Sequence, residues 1–515
     1  MTATVVSAPL VLTGSDLTLA AVYEVAWHRR PVALSPEARD RLAASRAMVA
    51  RAIVESRVIY GVTTGFGRFS DVAISADDRR ALQVNLIRSH AAGVGPPLSV
   101  PASRAMLLLR ANALACGFSG VRPSVVDQLI AYLNHDLVPV IPSQGSVGAS
   151  GDLAPLAHVA LTLIGEGEVW RDHAPCPTRL ALEAAGLKPL ALEAKEGLAL
   201  INGTQAMSAL GALTAFDAER LADWADMAGS LSFQVLRGIP DAFDPAVVQV
   251  RPHPGAATSA AHLRRLLEGS RLTTRPGERR VQDAYSLRCM PQVHGASRDA
   301  VTHVVDVLTR EINSVTDNPL LFPERAAVVS AGNFHGQPLA LALDYLGMAL
   351  AEWANISERR IERLVNPALS GLPAFLVRHG GLNSGLMLAQ YTAASLVSEN
   401  KVWAHPASVD SIPTSANQED HVSMGMTAAR KAWMILDNVR RVLAVELLCA
   451  AQAADFVGPD RLSPRGYEVW RFVRQRVAPW EQDRVLSGDI ERLADALVSE
   501  AGDRLRQAVL DSRPK

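Results

Sequence analysis

The stretch Gly145-Ser-Val-Gly-Ala-Ser-Gly-Asp-Leu-Ala-Pro-Leu-Ala-His158 decides how the rest of the chain is read. After Tyr60–Gly67, whose three glycines in eight residues cannot be a helix or a regular strand because they mark positive φ or close backbone approach, it is the second glycine-rich stretch of the chain, with Gly145, Gly148 and Gly151. No Gly-Lys-Ser/Thr follows, so the loop is not a phosphate cradle, and glycines spaced three apart do not match the dinucleotide fingerprint. Ser150 does not stand in GxSxG, and HExxH is absent. What remains is chemistry of the backbone itself. The Gly151 nitrogen could bend back onto the Ala149 carbonyl, and Ser150 between them can lose its hydroxyl as water. The product would be an electrophilic ring. Taken alone, Ala-Ser-Gly is an ordinary loop tripeptide.

Outward from that loop, the chain reads as mainly α. Its 515 residues are 49% hydrophobic but only 5% aromatic, and so few rings beside so much Ala, Leu and Val favour closely packed helices over β-sandwich cores. Lys and Arg number 51 against 52 Asp and Glu, for a net charge of −1, which leaves no electrostatic footprint for nucleic acid. The four cysteines, Cys116, Cys176, Cys289 and Cys449, show neither CxxC nor paired spacing, so neither a disulfide framework nor a zinc site is expected, and a reducing compartment, the cytoplasm, is. The N-terminal residues have no basic segment leading into an apolar core and do not read as a secretory signal. Two charge-free stretches, Gly197 to Phe216 and His379 to Ser398, carry amides, hydroxyls and glycines and are expected to be buried helices rather than membrane spans.

Ser35-Pro36-Glu37 supplies an N-cap, a first-turn proline and an early acid, with Leu42, Val49 and Ile53 following at helical spacing. Residues 76–138 alternate apolar helical segments with breaks at Gly93-Val-Gly-Pro-Pro97 and Arg122-Pro123. Long helices are expected beyond about residue 200; Gln337 to Leu364 would reach roughly 42 Å. No repeat or long linker is visible, so we expect an N-terminal loop-rich lobe over 1–200 and a long-helix bundle with C-terminal helices over 201–515, joined at a soft boundary as one structural unit.

With its neighbours, the Gly145–His158 string resembles the signature of the aromatic amino acid ammonia-lyases around their self-made 4-methylideneimidazol-5-one (MIO). Tyr60-Gly-Val-Thr-Thr-Gly-Phe-Gly67, Ser89-His-Ala-Ala-Gly93, Leu192-Glu-Ala-Lys-Glu-Gly-Leu-Ala-Leu200, Asn202-Gly-Thr-Gln-Ala206, Gln282-Asp-Ala-Tyr-Ser-Leu-Arg-Cys289 and Ser415-Ala-Asn-Gln-Glu-Asp-His421 are similar too, and in the family's order. One departure is Thr63, where many relatives carry Asn, which bears on fine loop geometry rather than on the reaction.

The resemblance implies a carbon–nitrogen lyase whose MIO forms autocatalytically from Ala149, Ser150 and Gly151, with no external cofactor and no metal. Eliminating ammonia requires removing a weakly acidic β-hydrogen and expelling a poor leaving group, and no encoded side chain is an electrophile able to assist. In the family the substrate amine, or by another account its aromatic ring, attacks the methylidene carbon. Tyr60 and Tyr285 are implied as catalytic; Tyr60 would take a substrate proton. Tyr285 and Arg288, three apart, could face one site, and the Arg288 fork suits a carboxylate. Asn202 and Gln282 are implied to orient the carboxylate or the MIO oxygen, though without the resemblance both read as turn caps. Phe334 resembles a pocket-wall aromatic, with core packing the alternative.

Substrate choice falls to His90 and Glu419. A buried imidazole and acid want a hydrogen-bonding ligand, and a phenyl ring would leave both unpaired at roughly 1 to 3 kcal/mol per group. That argues against phenylalanine. A His near this position also occurs in tyrosine lyases, but Ser89-His90 together with Gln418-Glu419 resembles the histidine-lyase combination, and the resemblance implies L-histidine as substrate, giving trans-urocanate, the entry step of histidine degradation. A tyrosine ammonia-lyase or an aminomutase on the same ring is the alternative, and an inactive helical scaffold is the reading from another class. A bundle lyase of the fumarase type lacks its serine-loop signature here. By resemblance a homotetramer is expected, each site drawing on several chains, with neither nucleic acid nor membrane as partner.

Overall fold

A computed structural model describes residues 8–511 apart from 56, 58, 60, 62–63, 66–73 and 76–77. Among the described residues the chain is mainly α, with 20 helices, and the strands form only small sheets of two or three. No helix among these residues is long and apolar enough to cross a membrane.

The local signals act as physical chemistry requires. Ser35 accepts a hydrogen bond from the Ala38 amide at the start of helix Pro36–Val54, whose Leu42 and Val49 are fully buried. The long helix expected from Gln337 spans Gln337–Val365. The break at Gly93–Pro97 is a short strand, Val94–Pro97, paired antiparallel with Pro142–Gln144, which leads directly into the Gly145 loop.

Contacts divide the chain into two units. The first comprises residues 1–216, 305–344 and 406–430, and the second 217–304, 345–405 and 431–515. All the small sheets belong to the first unit. Its core is the helix Val100–Ala115, buried from Ala102 onward and packed against Leu19–His28 and Pro123–Asn134. Arginines inside such a helix must find partners. Arg104 donates to the Val25 and Leu133 carbonyls and to Asp136 Oδ1, and Arg110 donates to the Asn202 carbonyl at 2.7 Å. Beside this core the helices Arg79–His90, Leu153–Leu163 and Glu196–Ile201 pack mutually. The first ends at His90, the second starts just after Gly151, and the third ends next to Asn202.

The second unit is helical among its described residues and is organised around a buried charge cluster. Arg360 donates from Nε and Nη2 to the two Glu446 oxygens at 2.6 and 2.8 Å, and the Ser232 and Ser357 hydroxyls complete that carboxylate at 2.7 and 2.6 Å. A buried ion pair of this kind holds only because nearly every lone pair is met.

The two charge-free stretches differ from each other. Gly197–Phe216 is buried almost throughout, as expected. The second stretch is not: helix Met387–Trp403 buries only Ala389, Ala393 and Asn400, so its apolar composition is not explained by packing within this chain.

Candidate functional site

The Gly145 loop is fixed by its own side chains before any other element touches it. Ser146 Oγ accepts the Gly148 N–H at 3.2 Å and donates to Asp152 Oδ1 at 2.9 Å, folding the ends of Gly148–Asp152 towards each other. From outside, the Met424 N–H reaches the Val147 carbonyl at 2.9 Å and the Ser423 hydroxyl reaches the Gly148 carbonyl at 3.1 Å.

Asp152 ties the loop to two helices. It precedes Leu153–Leu163, and its Oδ2 accepts the Met207 N–H at 2.9 Å in the first turn of Gln205–Val235. Burial pushes this carboxyl up to about 6, against the pull of the Met207 and Ala206 amides and the Ser146 hydroxyl. Its own N–H donates to the Gly203 carbonyl at 2.7 Å. Gly151 pairs with Gly203 at φ +73°, and a Cβ there would overlap the Gly203 carbonyl. Position 151 therefore admits only glycine, on grounds of both space and conformation.

Two side chains reach Ser150 directly, Asn202 and Glu419. The Asn202 side-chain amide donates to the Ser150 carbonyl at 3.4 Å, and Arg110 holds the Asn202 backbone carbonyl. Burial pushes Arg110 down to about 10, with Asp317 opposing. The Ser150 hydroxyl donates to Glu419 Oε1 at 2.8 Å, while Glu419 Oε2 accepts the Thr414 hydroxyl at 3.0 Å. Thr414 and Glu419 also exchange backbone hydrogen bonds across a turn in which Ser415, Ala416 and Asn417 all have positive φ, 51°, 53° and 64°. Such conformations cost energy and persist only where the surroundings hold them.

His90 closes the set electrostatically. Burial lowers its pKa, and the Leu86 carbonyl and the Glu419 charge oppose that shift. Its Nδ1 lies 2.8 Å from the Leu86 carbonyl oxygen and 3.0 Å from Ser89 Oγ. A carbonyl oxygen can only accept, and the Ser89 hydroxyl already donates to that carbonyl at 3.0 Å. The hydrogen therefore resides on Nδ1, and Nε2 is left as a bare acceptor.

Phe334 is half-buried in the turn before Gln337–Val365. Next to it His335 accepts the Gln337 N–H on Nδ1 at 3.3 Å and donates from Nε2 to the His421 carbonyl at 3.2 Å, joining that turn to the Glu419 segment. Gln282, Tyr285 and Arg288 belong to the second unit. There Arg288 Nη1 donates to Gln282 Oε1 at 2.8 Å, its guanidinium lies 4.8 Å from the Tyr285 ring centre, and its buried Nε has no hydrogen-bond partner among the described residues. Tyr285 is 71% exposed. Asn202 Oδ1 is likewise buried without a partner among the described residues. Tyr60 and Thr63 lie outside the described residues.

The motif stretches contain working residues that the sequence did not single out. Ser146, Asp152 and Gly203 shape the loop, and His158 Nε2 accepts the Gly93 N–H at 3.1 Å, which is why the Gly145–His158 and Ser89–Gly93 strings belong together. Lys195 lies 2.7 Å from Asp317 with both side chains fully buried. Their polarity inside otherwise apolar motifs was the available signal. Arg110 stands in none of these strings.

The arrangement fits ring formation from Ala149-Ser150-Gly151. A side-chain-free nitrogen, a hydroxyl in contact with a carboxylate, and an amide donor on the carbonyl that such a ring would keep are all present. Among the described residues there is no cluster of His, Cys, Asp and Glu able to hold a metal ion.

Comparison with known proteins matches residues 17–475 to the family described as aromatic amino acid lyase. The chain is 61% identical to the histidine ammonia-lyase of Symbiobacterium thermophilum over 482 residues, 94% of this chain and 95% of the relative. It is 56% identical to that of Alkaliphilus metalliredigens, over 94% and 96%. Among solved structures, histidine ammonia-lyase from Trypanosoma cruzi is 44% identical with a TM-score of 0.90, over 98% of this chain and 96% of that one. Tyrosine aminomutase from Streptomyces globisporus is 41% identical with a TM-score of 0.94, over 99% and 100%.

Proposed function

Since the chain belongs to the aromatic amino acid lyase family, we propose that it is a histidine ammonia-lyase, a carbon–nitrogen lyase that converts L-histidine to trans-urocanate and ammonia. The observation that carries this is the pairing of two acceptors, His90 Nε2 and the Glu419 carboxylate, beside an Ala149-Ser150-Gly151 segment held for cyclisation. Identity of 61% and 56% to histidine ammonia-lyases, against 41% to a tyrosine aminomutase, supports the same choice.

The MIO formed from Ala149, Ser150 and Gly151 supplies the electrophile that no encoded side chain has. The chain's own residues bind and orient the substrate. An acceptor at His90 Nε2 wants a ring-borne N–H, which imidazole offers and phenyl does not. Glu419 adds a negative charge on the same side of the site, favouring a ring that can carry positive charge. Asn202 holds the ring carbonyl through Nδ2 and presents an unpartnered Oδ1. Arg288, with Nε unsatisfied and one nitrogen braced by Gln282, is suited to the substrate carboxylate. Tyr60 and Tyr285 are assigned to proton transfer, and Phe334 to the pocket wall. We assign the sites to a homotetramer in the cytoplasm, each drawing on several chains.

The test is direct. L-Histidine added to purified protein should give the ultraviolet absorbance of urocanate with release of ammonia. Coumarate from L-tyrosine without urocanate from histidine would replace the substrate, and a β-amino acid product would indicate an aminomutase.

A further inference from the structure

Resting on the reading above that Ala149-Ser150-Gly151 becomes the MIO, we propose that Glu419 is also the acid–base group of ring maturation, relaying the proton that lets Ser150 lose its hydroxyl, and that this loss is what frees its carboxylate for substrate. The geometry pointing to this is the Ser150 Oγ to Glu419 Oε1 hydrogen bond at 2.8 Å. Among the described residues it is the hydrogen bond recorded for that hydroxyl, and the hydroxyl is an atom the finished ring does not contain.

The balance of atoms shows where help is needed. Ring closure forms a bond from the Gly151 nitrogen to the Ala149 carbonyl carbon. The carbonyl oxygen then leaves as one water, with the hydrogens of Gly151 N and Ser150 N. In the second step the Cα–H and Cβ–Oγ bonds of Ser150 break, the Cα–Cβ double bond forms, and Oγ leaves as a second water, carrying its own hydrogen and the equivalent of the Cα proton. Hydroxide is a poor leaving group, so the departing oxygen must be protonated as its bond breaks. A carboxylate in contact with Oγ can receive the Cα proton, deliver it to oxygen and end as it began.

Among the described residues that hydrogen-bond to the loop, none but Glu419 is recorded on the Ser150 hydroxyl. Asp152 spends its oxygens on Ser146 and the Met207 amide, and Asn202 and Arg110 offer only donors on this side. Glu419 itself is half-buried and aimed by Thr414, which keeps Oε2 occupied while Oε1 faces Ser150. Once Oγ has departed as water, Oε1 has lost this donor while Thr414 still holds Oε2. The acceptor needed by a substrate N–H is thus generated by maturation itself, so the uncyclised chain has a capped site and the mature chain an open one.

Intact-mass measurement of the full-length protein tests this without an activity assay. The wild-type chain should be lighter than its encoded mass by two waters. Glu419→Gln keeps the size and the Thr414 contact but cannot relay a proton, and it should be heavier than wild type by at least one water, with the hydroxyl of Ser150 retained in a peptide map. Glu419→Asp, which keeps the charge but shortens the reach, should give a mixture of matured and unmatured chains, and it is the sample to read if the glutamine variant is not recovered folded. A glutamine or aspartate variant as fully dehydrated as wild type overturns the inference and leaves the proposed function standing. A wild-type chain that retains both waters overturns the proposed function itself, and this inference with it.

Discussion

Replacing Ser150 with alanine removes one oxygen atom, and on the reading above that is enough to abolish the electrophile. S150A should fold, keep its encoded mass or lose at most the water of ring closure, and release no urocanate above background. His90 is a different case, because its imidazole selects rather than reacts. His90→Leu should leave maturation intact but lower kcat/KM for histidine by the worth of one buried hydrogen bond, about 1–3 kcal/mol or roughly 5- to 150-fold. Discrimination against phenylalanine should narrow with it. The pH dependence follows from the direction of its shift. Burial holds the His90 pKa below the ordinary value of 6.5, so the bare Nε2 acceptor persists through neutrality and is lost only as pH falls through that lowered value. An acid limb of kcat/KM at or above pH 6.5 that vanishes in H90L would contradict this. Much at this scale was legible from the sequence: Ser150, Asn202, His90 and Glu419 stand in strings whose spacing carries the resemblance. Arg110 was not, because nothing in an apolar helical run tells which arginine is turned inward onto the Asn202 carbonyl.

At the scale of elements, the site is a meeting of helix ends. Helix Arg79–His90 finishes with His90, Leu153–Leu163 begins behind the loop, and Glu196–Ile201 hands over to Asn202. A carboxylate at such a junction satisfies first-turn N–H groups that have no intrahelical partner. Asp152 does this for Met207 at the start of Gln205–Val235. Asp152→Ala should therefore cost about 1–3 kcal/mol in denaturant unfolding, besides disturbing the loop that Ser146 braces. The charge itself works against the fold. With its pKa raised from 3.8 to about 6, Asp152 is stabilising in its protonated form, and this contribution, fully present below the unfolded value, is lost as pH rises through about 6. Asp152→Asn should flatten the dependence of stability on pH over that window, and an unchanged slope would refute the assignment. The Gly151 position allows a sterner test. Alanine there meets both the positive φ and the Gly203 carbonyl, so Gly151→Ala should fail to mature even if it folds. The sequence showed that this loop needed glycine; it could not show that Gly203 was the neighbour demanding it, since that approach depends on two helix ends in register.

For the whole molecule, helix Met387–Trp403 raises the question the single chain leaves open. Its composition, with Glu399 and Lys401 as its charges, suggests a buried helix, yet this chain covers only Ala389, Ala393 and Asn400. Leu388, Tyr391 and Val402 are exposed on it, and Tyr345 and Met348 are exposed on Gln337–Val365. Several large apolar side chains exposed on long helices are the composition of an association surface, and we read them as one. The expectation that this stretch is a buried helix does not hold within this chain, because hydrophobic patterning reports an apolar face and not what covers it. A homotetramer meets the need, and it links assembly to chemistry if each site draws on several chains. We expect light scattering to give the mass of four chains. Leu388→Glu together with Tyr391→Glu should shift the population to smaller species by placing charge in an apolar contact. Because neither residue stands near the Ala149-Ser150-Gly151 loop in sequence, the decisive readout is activity against assembly. If histidine elimination falls in step with the loss of tetramer while the mass still shows two waters removed, the sites are shared between chains. A fully active small species would make the surface a matter of stability alone.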